Sequence, residues 1–479
     1  MTTLALTVDR STRIPLHRQI YDGIRSAILD GLLTPGQRIP STRTLALDLA
    51  VSRLPVLTAY DQLLHEGYLE GRVGSGTYVS AALPDDLLRV RQTPEGPVRS
   101  NARRRLARPA ARAREYGGLG PFRMSLPALD RFPHATWARL VARHAHTLSP
   151  AQMAYSDPAG VVALREAVAE HLRLARGVRC EAEQVLIVSG SQAALRLSAA
   201  VLLDRADRVA MEDPGYPGAR SALNAAGAEL VAVPVDDEGL DVEALRACGR
   251  RIRAVYVTPS HQYPLGVSMT AGRRLALLDW AFRQGTWILE DDYDSEYRYV
   301  SRPLGALQGM DSHERVVYIG TFSKVLFPAL RVGYLVVPPS LWRRFVDARL
   351  ALDLFSPTLY QLALADFLRE GHFARHLRHM RGVYLARRDA LLAGLARYCG
   401  GELTVYNADA GIHLAVGLRD DREDAKVVQR MADGGLTATA LSSCFAGTHR
   451  RNGLLLGFGG STERRLLDAT RVLAEVLCT

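Results

Sequence analysis

The sequence between Thr286 and Tyr334 decides the fold of this chain. It reads TWILEDDYDSEYRYV over residues 286–300 and RVVYIGTFSKVLFPALRVGY over residues 315–334. Each segment contains a short apolar run that turns polar, at Glu290 in the first and at Thr321 in the second. Buried parallel strands end in this way at the carboxyl edge of a sheet, where α/β proteins bind ligands. The stretch therefore predicts two strands that deliver polar groups to one edge.

The polar residues that follow these strands have the chemistry of a pyridoxal 5′-phosphate site. Lys324 lies among apolar residues, where burial lowers the pKa of an amine and frees its lone pair for a Schiff base. Asp291 is suited to pair with a pyridinium nitrogen. Thr321, Ser323 and Arg331 suit a phosphate, because Arg supplies a rigid fork of donors. Alone, a lysine such as Lys324 is more often a solvated surface residue. The acid upstream and the arginine downstream favour the cofactor site.

Length and composition indicate a globular protein of two or three domains. The chain has 479 residues, of which 48% are apolar and 23% charged, and its formal charge is +10. No apolar run approaches the roughly 20 residues of a membrane span, and the N-terminus lacks a signal-peptide pattern. We therefore expect a cytoplasmic protein with no membrane partner. The five cysteines show no zinc spacing, which predicts reduced, mostly buried thiols and no metal site.

Residues 13–80 have the pattern of a winged helix-turn-helix. An apolar stripe over residues 16–28 predicts a first helix, and Ser41 is a plausible N-cap for the second. A third helix over residues 52–65 and two short strands around Gly74 complete the unit. The buried face of the second helix is expected to carry Leu45, Leu47 and Leu49.

The third helix is the element expected to read DNA. Its first turn would present Ser52 and Arg53 to base edges. The other DNA contacts expected are Arg43 on the preceding helix and Arg72, Gly74 and Gly76 on the wing. The alternative is a protein-interaction module with surface arginines.

Two segments favour DNA binding, because RIPSTRTLALDLAVSR (38–53) and AYDQLLHEGYLEGRVGSGTYV (59–79) resemble the winged-helix domain of the GntR regulator family. One departure is Leu54-Pro55 in the first turn of the third helix, where relatives often carry polar residues.

Residues 81–120 have the composition of a basic linker rich in Arg, Pro and Ala. Residues 87–115 contain nine arginines and two glutamates, whereas residues 1–86 nearly balance 8 Arg against 9 Asp and Glu. Two interpretations stay open. The linker is a solvated spacer, or it is a cationic tether that attracts phosphate nonspecifically and in a salt-sensitive way.

Residues 121–479 alternate strands and helices, which predicts an α/β domain with a mainly parallel sheet. The strand 185–188, a Gly-Ser turn and a helix beginning at Ala193 would form an anion site, with Ser191 and Gln192 as phosphate candidates. Tyr216 follows the next strand and is placed to cover one face of a pyridine ring. His261, in a later loop, is either a ligand neighbour or a loop histidine with its hydrogen bonds satisfied.

The order of six motifs resembles the large domain of fold-type-I aminotransferases. These motifs are SGSQ (189–192), DPGY (213–216), TPSHQYPLG (258–266), EDDYDSEYRY (290–299), GTFSK (320–324) and LRVGY (330–334). Together with the winged helix they make the chain similar to the MocR/GabR group of GntR regulators, over essentially everything except the linker. The resemblance implies a fold-type-I aminotransferase-like domain with a smaller α+β subdomain.

The same resemblance implies roles for individual residues. Lys324 would hold pyridoxal phosphate as an internal aldimine, Asp291 would face the ring nitrogen and Tyr293 the ring oxygen. Thr321 and Arg331 would contact the phosphate. Tyr155 would reach the phosphate of the neighbouring subunit, which implies a homodimer.

The resemblance also implies a regulator that binds promoter DNA. Its signal would be pyridoxal phosphate itself or an amino compound that forms an external aldimine. Aminotransferases carry an Arg for the substrate carboxylate where this chain places Leu455, although Arg450 and Arg451 are near in sequence. We therefore favour cofactor sensing, with control of vitamin B6 supply as its purpose.

Two rival interpretations remain open. One is a working aminotransferase with an appended DNA-binding module. The other is a DNA-binding protein whose enzyme-like half has lost the cofactor. We favour sensing over enzymatic turnover and leave residual transamination open.

Overall fold

The computed structural model describes residues 6–12, 14–72, 74–81, 83, 118–249, 251–300, 305–419, 422–447 and 451–478. The chain divides into two compact units, residues 1–105 and 106–479. The arginines of the expected linker and Arg450 lie outside the described residues.

The first unit is a three-helix module with a two-stranded wing. Its elements are α1 (Leu16–Leu29), α2 (Thr42–Asp48), α3 (Arg53–His65), β1 (Leu69–Arg72) and β2 (Gly76–Val79). β1 and β2 pair antiparallel, with Arg72 opposite Gly76. Ser41 is the N-cap of α2, as expected, because its side chain accepts a hydrogen bond from the Thr44 amide. The winged helix-turn-helix fold is confirmed.

The prediction that Leu47 lies on the buried face of α2 is wrong. Leu47 is 74% exposed, whereas Leu45 and Ala46 are buried. The spacing of two between Leu45, Leu47 and Leu49 does not follow the helical period of 3.6, so these three cannot share one face.

The second unit is built on an eight-stranded sheet, with strand order β3-β10-β9-β8-β7-β4-β5-β6. Its strands are β3 (Val185–Val188), β4 (Arg208–Asp213), β5 (Glu229–Asp236), β6 (Gly239–Leu240), β7 (Ala254–Val257), β8 (Trp287–Asp292), β9 (Val316–Thr321) and β10 (Gly333–Val336). The pairs from β5 through β4, β7 and β8 to β9 are parallel, and β10 is antiparallel to both of its neighbours. The prediction of a mainly parallel sheet is confirmed.

Helices cover both faces of this sheet and continue into a smaller part of the unit. They are α4 (His134–Thr147), α5 (Pro150–Met153), α6 (Val162–Arg176), α7 (Ser191–Leu202), α8 (Pro217–Ala225), α9 (Val242–Ala247), α10 (Ala271–Gln284), α11 (Leu307–Met310), α12 (Trp342–Asp353), α13 (Thr358–Arg369), α14 (His372–Tyr398), α15 (Asp424–Asp433) and α16 (Glu463–Cys478). The helix expected from Ala193 begins two residues earlier, at Ser191, because Gly190 takes the N-cap position. No described helix is long and apolar enough to cross a membrane.

The smaller part holds an antiparallel sheet of four strands in the order β11-β12-β14-β13. They are β11 (Leu403–Val405), β12 (His413–Leu418), β13 (Thr439–Ala440) and β14 (Gly453–Gly457). Leu455 of β14 pairs with Ala415 of β12, and His413 pairs with Gly457, so all four positions lie on one face of this sheet. The cysteines are all free thiols, as expected.

Candidate functional site

Three consecutive acids at the end of β8 point to alternate faces of the large sheet. Asp291 faces Tyr256, whose hydroxyl donates to Asp291 Oδ2 at 2.8 Å. Its second oxygen, Oδ1, is buried and has no hydrogen-bond partner among the described residues. Burial raises the pKa of Asp291 to about 7, although the Tyr256 hydrogen bond opposes the shift. Asp291 is thus a buried acid with an oxygen free to accept a donor.

The other two acids of this run have structural partners. Glu290 accepts the backbone amides of Leu307 and Gln308, each at 2.8 Å, and so fixes the start of α11. Asp292 accepts from Arg176 and from the Tyr318 hydroxyl, the latter at 2.6 Å. Asp291 is therefore the acid of the three that is open to a ligand.

Lys324 follows β9 and faces the same region. Burial lowers the pKa of its amine to about 8, while the charges of Asp294 and Asp291 act in the opposite direction. Its Nζ donates to the carbonyl oxygen of Ser125 at 3.3 Å. Between pH 7 and pH 8 roughly a tenth to a half of such an amine is unprotonated, which is the form that attacks an aldehyde.

The antiparallel pairing of β3 with β10 places Gly333 opposite Val188. It therefore brings the turn after β3 next to the turn before β10, and these two turns form a candidate phosphate site. Gly190, with φ of +95°, is the N-cap of α7. A Cβ at this position would lie 3.5 Å from Nη1 of Arg331, so the guanidinium lies beside the first turn of α7. Ser191 and Gln192 form that turn. A helix N-terminus and an arginine together attract an anion.

The remaining cofactor candidates lie in differing surroundings. Thr321 Oγ1 accepts the Ser323 amide at 3.1 Å. The Tyr216 hydroxyl lies 3.4 Å from Gln192 Nε2, which places Tyr216 beside the start of α7. Tyr155, in contrast, is 85% exposed.

Four residues near Lys324 form a cluster that the sequence did not predict. His261 Nδ1 lies 2.9 Å from Asp294 Oδ1 and 3.1 Å from the Tyr293 hydroxyl oxygen. The ring centroid of His413 is 5.3 Å from that of His261. Asp294, His261 and His413 are buried and offer ligand atoms within 4.8 Å of one another, as a metal site would. However, Nδ1 of His261 is already shared between Asp294 and Tyr293.

Sequence reasoning missed Asp294, Tyr256 and His413, and it left His261 undecided. No spacing rule connects His413 to a loop some 150 residues earlier. A signal for Lys324 was also overlooked: the sequence contains only two lysines, Lys324 and Lys426.

The carboxylate-binding arginine of aminotransferases has no equivalent at Leu455. This side chain is buried in an apolar cluster with Leu265 and Phe445, against which Tyr263 packs. Arg451 is exposed.

The DNA-binding candidates lie on the surface of the first unit. Ser52 and Arg53 are exposed at the start of α3, and Arg53 Nε donates to Thr42 Oγ1 at 3.2 Å. Leu54 is 71% exposed in the same turn. On the wing, Arg72 is bound to Glu70 at 2.7 Å and lies over the Tyr78 ring. The other candidates are Arg43, which is exposed, and Gly74 and Gly76, both with positive φ.

Two family models match the chain. The model for bacterial regulatory proteins of the gntR family matches residues 16–79, and the model for aminotransferase class I and II matches residues 130–451. The two matched ranges fall in the two compact units.

Whole-chain relatives combine the same two parts. A probable rhizopine catabolism regulatory protein, MocR of Rhizobium meliloti, is 43% identical over 98% of this chain and 95% of its own length. The pyridoxine biosynthesis transcriptional regulator PdxR of Corynebacterium glutamicum is 36% identical over 99% and 97%. Among solved structures, a kynurenine aminotransferase of Pyrococcus horikoshii is similar, with 27% identity and a TM-score of 0.72. That match covers 79% of this chain and 95% of the enzyme.

Proposed function

Since this chain belongs to the MocR type of GntR-family regulators, in which a winged helix-turn-helix precedes an aminotransferase class I and II domain, we propose that it regulates a promoter in response to pyridoxal 5′-phosphate. The winged helix binds DNA, and the aminotransferase-like domain binds the cofactor. We place its action in the cytoplasm, where promoter DNA is found.

The observation that carries the proposal is the surroundings of Lys324. Pyridoxal phosphate supplies an aldehyde that amines attack and a ring whose protonated nitrogen withdraws electrons. Lys324 offers a partly buried amine whose pKa is lowered to about 8. Asp291 Oδ1 is a buried acceptor without a partner among the described residues, and a pyridinium N–H is the donor that it lacks. The residues present therefore fit the cofactor.

We assign the phosphate to the other end of this region. Arg331 lies beside Gly190, where the backbone amides of the first turn of α7 are unsatisfied within the helix. Ser191, Gln192 and Thr321 contribute further polar groups there. Tyr216 covers the ring, and Tyr293 approaches its oxygen.

The signal follows from what surrounds Leu455. A free amino acid needs a cation for its carboxylate, and Leu455 offers an apolar wall instead. Losing a charge-assisted hydrogen bond costs roughly 1.5–3 kcal/mol of binding free energy. Pyridoxal phosphate has no carboxylate and needs no cation for one. We therefore favour the cofactor as the signal, and control of vitamin B6 supply as its purpose, in the manner that the name of the C. glutamicum relative states.

A homodimer completes the proposed site. Tyr155 packs against Phe355, and the segments around these two residues carry a group of exposed apolar side chains. This group consists of Met153, Tyr155, Leu350, Leu352 and Leu354. Exposed apolar patches of this kind mark protein interfaces. We propose that a second copy covers it and that Tyr155 of the partner subunit reaches the phosphate.

The deciding experiment is a titration of promoter DNA with cofactor-free protein, with pyridoxal phosphate added, and with pyridoxal phosphate plus candidate amines. To act as a signal, the cofactor must bind the two DNA-affinity states unequally. We expect pyridoxal phosphate alone to change DNA affinity. A response that needs an amine would show that an amino compound is the signal.

The rival function is transamination. The fold is shared with aminotransferases, and Lys324 and Asp291 are the types that such chemistry uses. Steady-state turnover with a panel of amino donors and keto acids distinguishes the two, because brisk multiple turnover contradicts a protein that only regulates.

A further inference from the structure

Behind Tyr293 lie two buried side chains that the proposed function does not use. His261 and Asp294 are 3% and 0% exposed, whereas Tyr293 keeps part of its surface exposed. His261 belongs to the loop after β7, and Asp294 follows β8 directly after Tyr293. Of the three, Tyr293 is therefore the one that can reach a ligand.

One nitrogen atom joins the three side chains. Nδ1 of His261 lies 2.9 Å from Asp294 Oδ1 and 3.1 Å from the Tyr293 hydroxyl oxygen. An ionised carboxylate only accepts hydrogen bonds, so Nδ1 must carry the hydrogen. A nitrogen that carries hydrogen has no lone pair for Tyr293. The tyrosine oxygen must then accept from the same N–H, and its own hydrogen is free to be donated elsewhere.

The surrounding backbone holds this arrangement in place. Gly411 has φ of +78°, and a Cβ there would lie 2.8 Å from Asp294 Oδ2 and would overlap the His261 ring. His413 Nε2 lies 3.2 Å from the Pro264 carbonyl oxygen and donates to it. Burial lowers the pKa of His413 to about 4, so at neutral pH it adds no positive charge beside Asp294.

We propose that Asp294 and His261 are positioning residues that hold the Tyr293 hydroxyl as a hydrogen-bond donor to the ring oxygen of pyridoxal phosphate. This inference rests on the proposed function, since it takes that cofactor as the ligand. Without the Asp294 carboxylate, the imidazole can carry its hydrogen on Nε2. Tyr293 then donates to Nδ1, and the ring oxygen loses its donor.

A double-mutant cycle tests the positioning role. The Kd for pyridoxal phosphate is measured on the full chain as the wild type, Asp294→Asn, Tyr293→Phe and the double variant. The quenching of tryptophan fluorescence gives the signal. Asp294→Asn is expected to weaken binding about tenfold when Tyr293 is present and less than about twofold in the Tyr293→Phe background. An equal loss in both backgrounds would show that Asp294 acts directly on Lys324 or the ligand, and would overturn the inference.

A cofactor analogue that lacks the ring hydroxyl, 3-deoxypyridoxal 5′-phosphate, provides a second readout. The wild type is expected to prefer pyridoxal phosphate, and Asp294→Asn and His261→Phe to lose most of that preference. A preference that survives both substitutions contradicts the role of the pair. If Asp294→Asn does not fold, as judged by its unfolding curve without cofactor, His261→Phe takes its place in the cycle.

The proposed function and the positioning role can be disproved separately in this design. If the wild type does not bind pyridoxal phosphate, the proposed function is wrong, and the inference with it. If the wild type binds but the cycle is additive, the positioning role alone is wrong.

Discussion

Arg176 Nη2 lies 2.8 Å from Asp292 Oδ2, and both side chains are only 2% exposed. Burial alone would raise the pKa of Asp292, but the Arg176 charge and the hydrogen bonds to this carboxylate hold it below its ordinary value. The pair connects the end of α6 to the end of β8, directly beside Asp291. It therefore fixes the strand end from which the candidate acid projects.

Breaking this pair is expected to destabilise the second unit. Arg176→Met leaves Asp292 buried without a cation, which should lower the free energy of unfolding by about 3–5 kcal/mol. All four tryptophans of the chain, residues 137, 280, 287 and 342, lie in this unit, so urea unfolding followed by tryptophan fluorescence reports on it. Arg283→Ala is the matched control, because its pair with Asp279 is exposed and should contribute less than about 1 kcal/mol. Equal losses in the two variants would contradict the buried pair's role.

Replacing Lys324 with methionine is expected to stabilise the cofactor-free protein at neutral pH. Burial lowers the pKa of this amine to about 8 from its ordinary 10.5, so the folded state resists protonation more than the unfolded state does. The resulting loss of folding free energy is fully present below pH 8 and disappears as pH rises from 8 to 10.5. A fully enclosed shift would correspond to roughly 3 kcal/mol. Because Lys324 keeps part of its surface exposed, we expect about 2 kcal/mol.

The measurement is urea unfolding of Lys324→Met and wild type between pH 7 and pH 10. The difference should shrink as pH rises. The other lysine, Lys426, is the control, since its side chain is 78% exposed and pairs with Glu423. Lys426→Met should leave the pH profile unchanged. A difference for Lys324→Met that does not vary with pH would mean that packing, rather than charge, is responsible.

Arg53 is expected to matter for sequence choice. It is exposed in the first turn of α3, where a recognition helix contacts base edges. Arg53→Ala should weaken binding to the cognate promoter by about 1–3 kcal/mol and weaken binding to random DNA much less. Fluorescence anisotropy with both DNAs, with Arg18→Ala on α1 as the control, checks this. Equal weakening on both DNAs would exclude Arg53 from base readout.

Mixed dimers test whether the site is shared between subunits. If Tyr155 serves the partner's phosphate, a dimer of one Tyr155→Ala chain and one Lys324→Ala chain contains one site with both defects and one intact site. Half of the cofactor sites should then bind with wild-type affinity. Homodimers of either variant should show none at that affinity. Absorbance titration of differently tagged, co-expressed chains measures the fraction, and mixed dimers without any wild-type site would show that Tyr155 acts within its own subunit.

The sequence predicted the positions of strand-end residues well, for a physical reason. Parallel strands share a carboxyl edge, so polar residues after β8 and β9 had to be neighbours, and Asp291 and Lys324 do act on each other electrostatically. Side-chain alternation also separates Asp291 from Glu290 and Asp292 once the strand is assigned. The helix periodicity of the first unit identified its elements, although it misplaced Leu47.

Contacts between distant segments could not be predicted from the sequence. His413 and Gly411 come from the small sheet and its preceding loop, while His261 and Asp294 come from loops that follow strands of the large sheet, and no local pattern relates them. The contact between the Lys324 amine and Ser125 could not be predicted either, because the acceptor is a backbone carbonyl and every residue type has one. Local patterns specify elements, whereas tertiary packing decides which elements meet.

The hydrogen bond from Lys324 to the Ser125 carbonyl connects the reactive amine to the backbone of a distant segment. A covalent bond between the Lys324 nitrogen and the aldehyde of pyridoxal phosphate would leave that nitrogen fewer hydrogens to donate, and the hydrogen bond to Ser125 would weaken. Ser125 belongs to the described stretch that begins at residue 118. Lys324 is therefore a structural hydrogen-bond donor as well as a reactive group. Backbone amides around residues 122–128 should exchange hydrogen faster when this hydrogen bond is lost. Faster exchange there in Lys324→Met than in Lys426→Met would show that the hydrogen bond stabilises this segment.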